Sequence, residues 1–297
     1  MATKTSSQAR TGMSREEIEL AIARVLKWVL IAFFLVITVF PFYWMLNLSA
    51  RPFSDVLQHP TQLIPSLDQI AKAPDAFVAV WNDYDFKTFV GNSTAISIAT
   101  VLLTLLLAIP AAYAVTRLDF SLKNVMSWGI LLIYMFPAIV LAIPLFVVYS
   151  KLGLRGNLMG VIVVYMSQTL PVSLYMLRSY FATIPVDLEE AALIDGCTRL
   201  QSIWRVTIPL SLPAIVSVAL YVFMIAWNEF LFALLFLQST PKSWTLPIGL
   251  QQLNKAQEVP ITYLMAGSLI ITVPVIVLYL FFERFLTSGL TAGAVKG

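Results

Sequence analysis

Long uncharged apolar runs alternate along this chain with short charged interruptions. The uncharged intervals cover residues 28–50, 88–116, 124–150, 156–177, 206–228 and 259–282. Each holds at least 22 residues, and a helix needs roughly 20 to cross a hydrocarbon core. Helices satisfy their backbone hydrogen bonds internally, so they are the economical way to span lipid. The pattern predicts an all-α polytopic membrane protein with six transmembrane helices. It divides the chain into an N-terminal segment 1–27, a first span 28–50, a loop 51–87, a core 88–282 with five further spans, and a tail 283–297.

Composition supports this reading. The 297 residues are 59% hydrophobic and 12% charged, whereas soluble domains carry about 25% charged residues. Basic residues set the orientation. With the N-terminus inside, 12 of the 19 Lys and Arg residues lie on the cytoplasmic side. Arg24 and Lys27 flank the first span, and Asp55, Asp68, Asp75, Asp83 and Asp85 follow it. The positive-inside rule therefore puts both termini in the cytoplasm. No cleavage pattern follows the first apolar run, so it is expected to remain as an anchor.

Prolines punctuate the spans at Pro110, Pro137, Pro144, Pro171, Pro209, Pro213 and Pro274. Each lacks an N–H and tends to bend a helix, which shapes a cavity or hinge in a pathway protein and is tolerated in membrane helices generally. In the loop 51–87, Pro52, Pro60, Pro65 and Pro74 are expected to break regular structure around a small cluster of Phe77, Val80, Trp81 and Tyr84. Glu16 to Lys27 reads as an amphipathic lead into the first span. The segment from 229 to about Pro260 reads as an outer loop, either a polar binding surface or a simple cap.

One charged interruption is too long for a turn. The 28 residues of 178–205 read as a short helix, a break and a second helix. Thr183 and Pro185 form a start signal, with Thr183 as cap. Asp187, Glu189 and Glu190 follow near the positive helix end. Leu188, Ala191, Ala192 and Asp195 share a face, and Gly196 permits a left-handed turn. The second helix carries Ile203 and Trp204 on its apolar side. Lipid contact competes with protein docking for this element; its acidic residues disfavour an anionic leaflet, and its small side chains permit close insertion into a cleft.

The run Glu190-Ala191-Ala192, Asp195-Gly196 and then Ile208-Pro209 resembles the cytoplasmic EAA loop of permeases in binding-protein-dependent ABC importers. Trp227-Asn228-Glu229-Phe230 and Trp244-Thr245-Leu246-Pro247-Ile248-Gly249-Leu250 point to the carbohydrate branch. The C-terminus from Gly289 to Gly297 is similar to that of the smaller permease in maltose-type transporters. The resemblance implies a type I importer permease fold whose coupling helix docks into an ATPase subunit through Glu189, Glu190, Ala191, Ala192, Asp195, Gly196 and Pro209. It also implies a second homologous permease, two ATPase subunits holding ATP and Mg, and an extracytoplasmic sugar-binding protein. No cofactor is expected on this chain. The tail residues Thr291, Gly293 and Lys296 are candidates for contact with the ATPases, or else a frayed end.

An enzyme is not expected. His59 is the only histidine and Cys197 the only cysteine, which excludes a His cluster for metal and a disulfide. No Gly-Lys-Ser or Gly-Lys-Thr run is present to cradle phosphate, and nothing points to nucleic acid. The spans hold no interior Asp, Glu, Lys or Arg, which weighs against an ion-coupled secondary transporter; a membrane scaffold is the remaining rival. A neutral sugar, or another neutral polyol or glycerol derivative, suits such spans. Tyr134, Tyr165, Gln168, Tyr175, Asn228 and Gln251 are the candidates for the solute path, since sugars need hydrogen-bonding groups and aromatic faces.

Overall fold

A computed structural model describes residues 15–121, 123, 125, 129, 132, 137–255 and 259–291. Helices account for the regular structure of these residues, as the sequence predicts. In chain order they are α1 (Arg15–Ser49), α2 (Phe53–Gln58), α3 (Leu67–Ala71), α4 (Ala73–Asn82), α5 (Phe86–Arg117), α6 (Ala138–Lys151), α7 (Leu158–Phe181) and α8 (Val186–Ile194). After these come α9 (Arg199–Ser202), α10 (Ile208–Leu210), α11 (Leu212–Asn228), α12 (Leu231–Leu237), α13 (Leu246–Lys255) and α14 (Ile261–Thr291).

The centre is built where α5 lies along α7, with α11 against both and α14 behind α11. The α5 face toward this core carries Ser93, Ser97, Thr100, Thr104, Ala108 and Ala112 at spacings of three and four, all buried. On α7 the buried side chains include Tyr165, Thr169, Ser173, Leu177 and Phe181. Apolar contact gains little between helices already surrounded by lipid, so association depends on close packing and hydroxyl pairs. Small side chains on α5 allow that approach, and the Thr104 and Thr169 hydroxyls meet at 3.1 Å.

Helix α1 behaves differently. None of its most apolar stretch is buried within the molecule, and Trp28, Phe33, Phe34 and Leu35 are all exposed. It packs along α14 and touches α4. A helix this apolar and this uncovered is stable in lipid and not in water. The lead at Glu16–Lys27 runs without a break into the first span, in one helix Arg15–Ser49. Likewise α14 continues through 282 to Thr291.

Six uninterrupted spans are not what the described residues show. Four helices are long and apolar enough to cross alone: α1, α5, α7 and α14. The predicted span at 206–228 is instead a bent pair, Arg199–Leu210 and Leu212–Asn228, meeting at 80°. Pro209 and Pro213 flank the break at Ser211, and each removes a backbone donor from the ladder. The interval 124–150 lies partly outside the described residues; within it, α6 supplies a shorter apolar helix.

Two segments expected to be loops carry helices. In 51–87 two of the four prolines, Pro52 and Pro74, stand at helix starts, while Pro60 follows the end of α2. Pro52 precedes α2, Pro74 lies in the first turn of α4, and a Ser66–Gln69 capping box opens α3. Pro φ near −65° suits a first helical turn, and its missing N–H costs nothing there. Val80 is fully buried with Phe77 and Tyr84 packed near it, while Trp81 remains 37% exposed. Beyond Asn228, α12 inserts Phe232, Ala233, Phe236 and Leu237 into the core beside Tyr149 and Tyr165. The Glu229 carboxylate caps α12 by accepting from the backbone N–H groups of Phe232 at 2.9 Å and Ala233 at 3.1 Å.

Helix α13 is fastened to α5. Asn92 Nδ2 donates to the carbonyls of Lys242 and Trp244, both at 2.9 Å, and Ser93 Oγ accepts from Leu246 N–H at 2.8 Å. Gly249 makes the contact possible, because a Cβ there would lie 2.3 Å from Phe89 Cδ2. Gly249→Ala should therefore destabilise the bundle by about 1–3 kcal/mol through overpacking. Thermal unfolding of the detergent-purified protein should show a lowered midpoint; an unchanged midpoint would mean that α13 does not pack on Phe89.

Candidate functional site

The element at 178–205 folds as a helix, a tight reversal and a second helical arm. Thr183 is not the cap that its position suggested: its hydroxyl donates to the Tyr180 carbonyl at 2.7 Å, finishing α7. The chain enters α8 through Pro185, whose side chain offers no cap bond. Asp187 and Glu189 in the first turn supply negative charge at the positive helix end.

The α8 helix stops by a two-bond reversal. Cys197 N–H reaches the Ala192 carbonyl at 3.0 Å and Gly196 N–H reaches Leu193 at 3.1 Å, the Schellman pattern. This requires positive φ at Gly196, and it has +89°. Nothing lies within 4 Å of where a Cβ would stand, so the need for glycine is one of backbone conformation. A Cβ in this region costs about 1–2 kcal/mol.

The second arm opens with a capping box in which Thr198 and Gln201 exchange hydrogen bonds. It passes through a π-turn at Ile203–Thr207, where Ile208 N–H donates to Ile203, five residues back. Ile203 packs toward the core. Trp204, expected beside it on the apolar side, is instead 64% exposed.

Glu189 and Glu190 point to different environments. Glu189 is buried, whereas Glu190 is exposed. Arg117, the last residue of α5, donates through Nε to Glu189 Oε1 at 3.1 Å and Oε2 at 3.2 Å. Its Nη2 donates to the Ile184 carbonyl at 2.8 Å. The Thr207 hydroxyl adds a bond to Glu189 Oε1 at 3.2 Å. Side-chain exposure is 10% for Arg117 and 5% for Glu189. Water screens such a pair little, and removing one partner from a buried pair costs about 3–5 kcal/mol because the other charge is stranded.

Outside this anchor lies an uncovered surface. Glu190, Ala191, Asp195, Gly196 and Pro209 are exposed, and Ala192 is half-buried. Apolar side chains on the same two arms are exposed as well: Val186, Leu188, Ile194, Leu200 and Trp204, Ile194 most of all. Of the residues expected to meet an ATPase, Glu189 alone is turned inward. Sequence reasoning missed Arg117 and Thr207 as its partners. A usable signal was present, since Arg117 is the first charge after Lys87 and ends an otherwise uncharged helix.

The candidate path residues separate. Tyr165 is fully buried, with its hydroxyl donating to the Glu229 carbonyl at 3.4 Å, and no face of its ring is open to a solute in this conformation. Gln168 and Gln251 are half-buried, and Gln168 Nε2 and Gln251 Oε1 find no partner among the described residues. Tyr175 is 52% exposed. Asn228 is exposed at the end of α11, its Nδ2 donating to the Met224 carbonyl at 2.8 Å. Tyr134, Gly293 and Lys296 lie outside the described residues. Thr291 is described only as the end of α14.

Comparison with known proteins agrees with this architecture. The family model described as binding-protein-dependent transport system inner membrane component matches residues 104–288. An inner membrane ABC transporter permease protein of Escherichia coli, YcjP, is 40% identical over 90% of this chain and 94% of its own. The trehalose/maltose transport system permease protein MalG of Thermococcus litoralis is 37% identical over 95% of this chain and 99% of its own. The trehalose transport system permease protein SugB of Mycobacterium tuberculosis is 38% identical over 86% and 92%. Among solved structures, a bacterial ABC transporter involved in import of the acidic polysaccharide alginate superposes with a TM-score of 0.78. That match covers 93% of this chain and 99% of the other at 23% identity, and it establishes the fold. On its matched length and these identities, the chain belongs to the family of binding-protein-dependent transport system inner membrane components, the permeases of ABC importers.

Proposed function

We propose that this chain forms half of the translocation path of an ATP-driven importer for a neutral sugar, a di- or oligosaccharide, and that α8 is its coupling helix. The observation that carries the reading is the α8 surface: an exposed carboxylate, small side chains and exposed apolar groups on α8 and the arm after it, with the helix tied to the bundle through Glu189. Relatives named for trehalose and maltose support the sugar, as do spans free of interior fixed charge. A second permease completes the path, an extracytoplasmic binding protein delivers the solute, and two ATPase subunits hold ATP and Mg. ATP binding closes the ATPases, their clefts carry α8 with them, and the spans open outward. Hydrolysis resets the path inward. Gln168, Tyr175, Asn228 and Gln251 are the side chains offered to the solute, and the tail at Thr291, Gly293 and Lys296 reaches the ATPases.

Orientation is part of the proposal, with both termini and α8 in the cytoplasm. Cys197, half-buried beside α8, should react with a membrane-impermeant thiol reagent in inside-out vesicles and not in intact cells. Labelling in intact cells would invert the topology and remove α8 from any ATPase.

Glu190 is the residue placed to make a charge-assisted bond across the dock. Such bonds contribute about 1.5–3 kcal/mol, so Glu190→Lys should weaken ATPase association on the order of 10-fold to 100-fold. In the reconstituted transporter, substrate-stimulated hydrolysis should fall while both permeases remain in the membrane. Wild-type stimulation in that variant would exclude Glu190 from the contact.

A further inference from the structure

Docking alone does not explain how a helix of nine residues moves a bundle. Its covalent connection downstream is poorly suited to transmit a push. That route runs through the Gly196 reversal, a π-turn and the 80° bend at Ser211 before reaching α11. Each is a place where backbone can give. The non-covalent connection is more direct. Arg117 holds the Glu189 carboxylate and the Ile184 carbonyl together, and Thr207 bonds the same carboxylate. One buried node therefore joins the end of α5, the entry to α8, the first turn of α8 and the π-turn. Helix α5 is also the helix most extensively packed on α7.

We propose that Arg117 and Glu189 are positioning residues of the coupling machinery, with Thr207 as their third member. They make α8 rigid with α5, so displacement of α8 enters the bundle through α5 and α7 as well as through α11. Glu189 then serves no contact with an ATPase; it is the internal anchor behind a surface whose outward carboxylate is Glu190. This rests on the docking proposed above for α8. It assigns a route into α5 that α8's chain connections, to α7 upstream and toward α11 downstream, do not supply.

The complete transporter, with partner permease, ATPases and binding protein in proteoliposomes, provides the test. Three quantities are needed for each variant: ATPase bound, ATP hydrolysed and solute taken up. Arg117→Met keeps the length of the side chain and removes the charged fork. It should retain bound ATPases while solute transported per ATP falls at least about tenfold, because the stranded Glu189 no longer fixes α8. Thr207→Val removes only a hydroxyl and should lower the same ratio about threefold. If Arg117→Met does not accumulate in the membrane, the Thr207→Val ratio decides the matter alone. Wild-type ratios in the variants overturn the proposal. It is also overturned if Arg117→Met sheds the ATPases while Thr207→Val behaves as wild type, since the pair is then merely structural. A wild-type chain that neither binds ATPases nor transports defeats the docking itself. Wild-type transport with fully coupled variants removes only the positioning role.

Discussion

A single buried ion pair holds the exposed helix α8 to the membrane bundle. Arg117 ends α5 and Glu189 lies in the first turn of α8, with Thr207 and the Ile184 carbonyl completing the site. Taking two charges out of water is costly, and their attraction offsets that cost only when geometry and additional hydrogen bonds are good. Here the carboxylate accepts from Arg117 and Thr207, with the Tyr113 hydroxyl also on it, and the guanidinium donates to a backbone carbonyl as well. The pair adds directional constraint that apolar packing does not supply. An oily contact in the same place would let α8 slide; a forked contact fixes its angle.

The rest of the bundle follows a different rule. In lipid there is little hydrophobic gain from pairing helices, so α5 and α7 rely on close approach and hydroxyl contacts. The row from Ser93 to Ala112 is small for that reason. The short helices α12 and α13 then use directed hydrogen bonds from Asn92, Ser93 and Glu229 to fasten the segment beyond α11. Polar groups in this protein are spent mainly on positioning backbone. That leaves Tyr175, Gln168, Asn228 and Gln251 as the more accessible polar side chains among those suited to a solute.

Much of this architecture is legible in the sequence, with failures that have physical causes. Charge-free intervals locate α1, α5, α7 and α14, because crossing lipid demands length and apolarity. The same signal cannot see the bend at Ser211, where Pro209 and Pro213 interrupt an interval without any change in charge. Nor does it show α12, whose apolar run is too short to span and which packs inward instead. The glycine turn of the candidate site is readable because few residues tolerate its backbone conformation. Adjacent acidic residues are harder: Glu189 and Glu190 are about 100° apart around a helix, and nothing local says which faces inward. That choice is made by Arg117, distant in sequence and adjacent only once α5 and α7 are packed.

Joined through Arg117 and Glu189, α8 and α5 should move as one body. The direct measurement is the structure of the assembled transporter with and without bound ATP. Arg117 Nε should remain within hydrogen-bonding distance of the Glu189 carboxylate in both states, while the outer end of α5 shifts against the partner permease. Separation of the pair with α8 still seated on its ATPase would show that the two helices move independently.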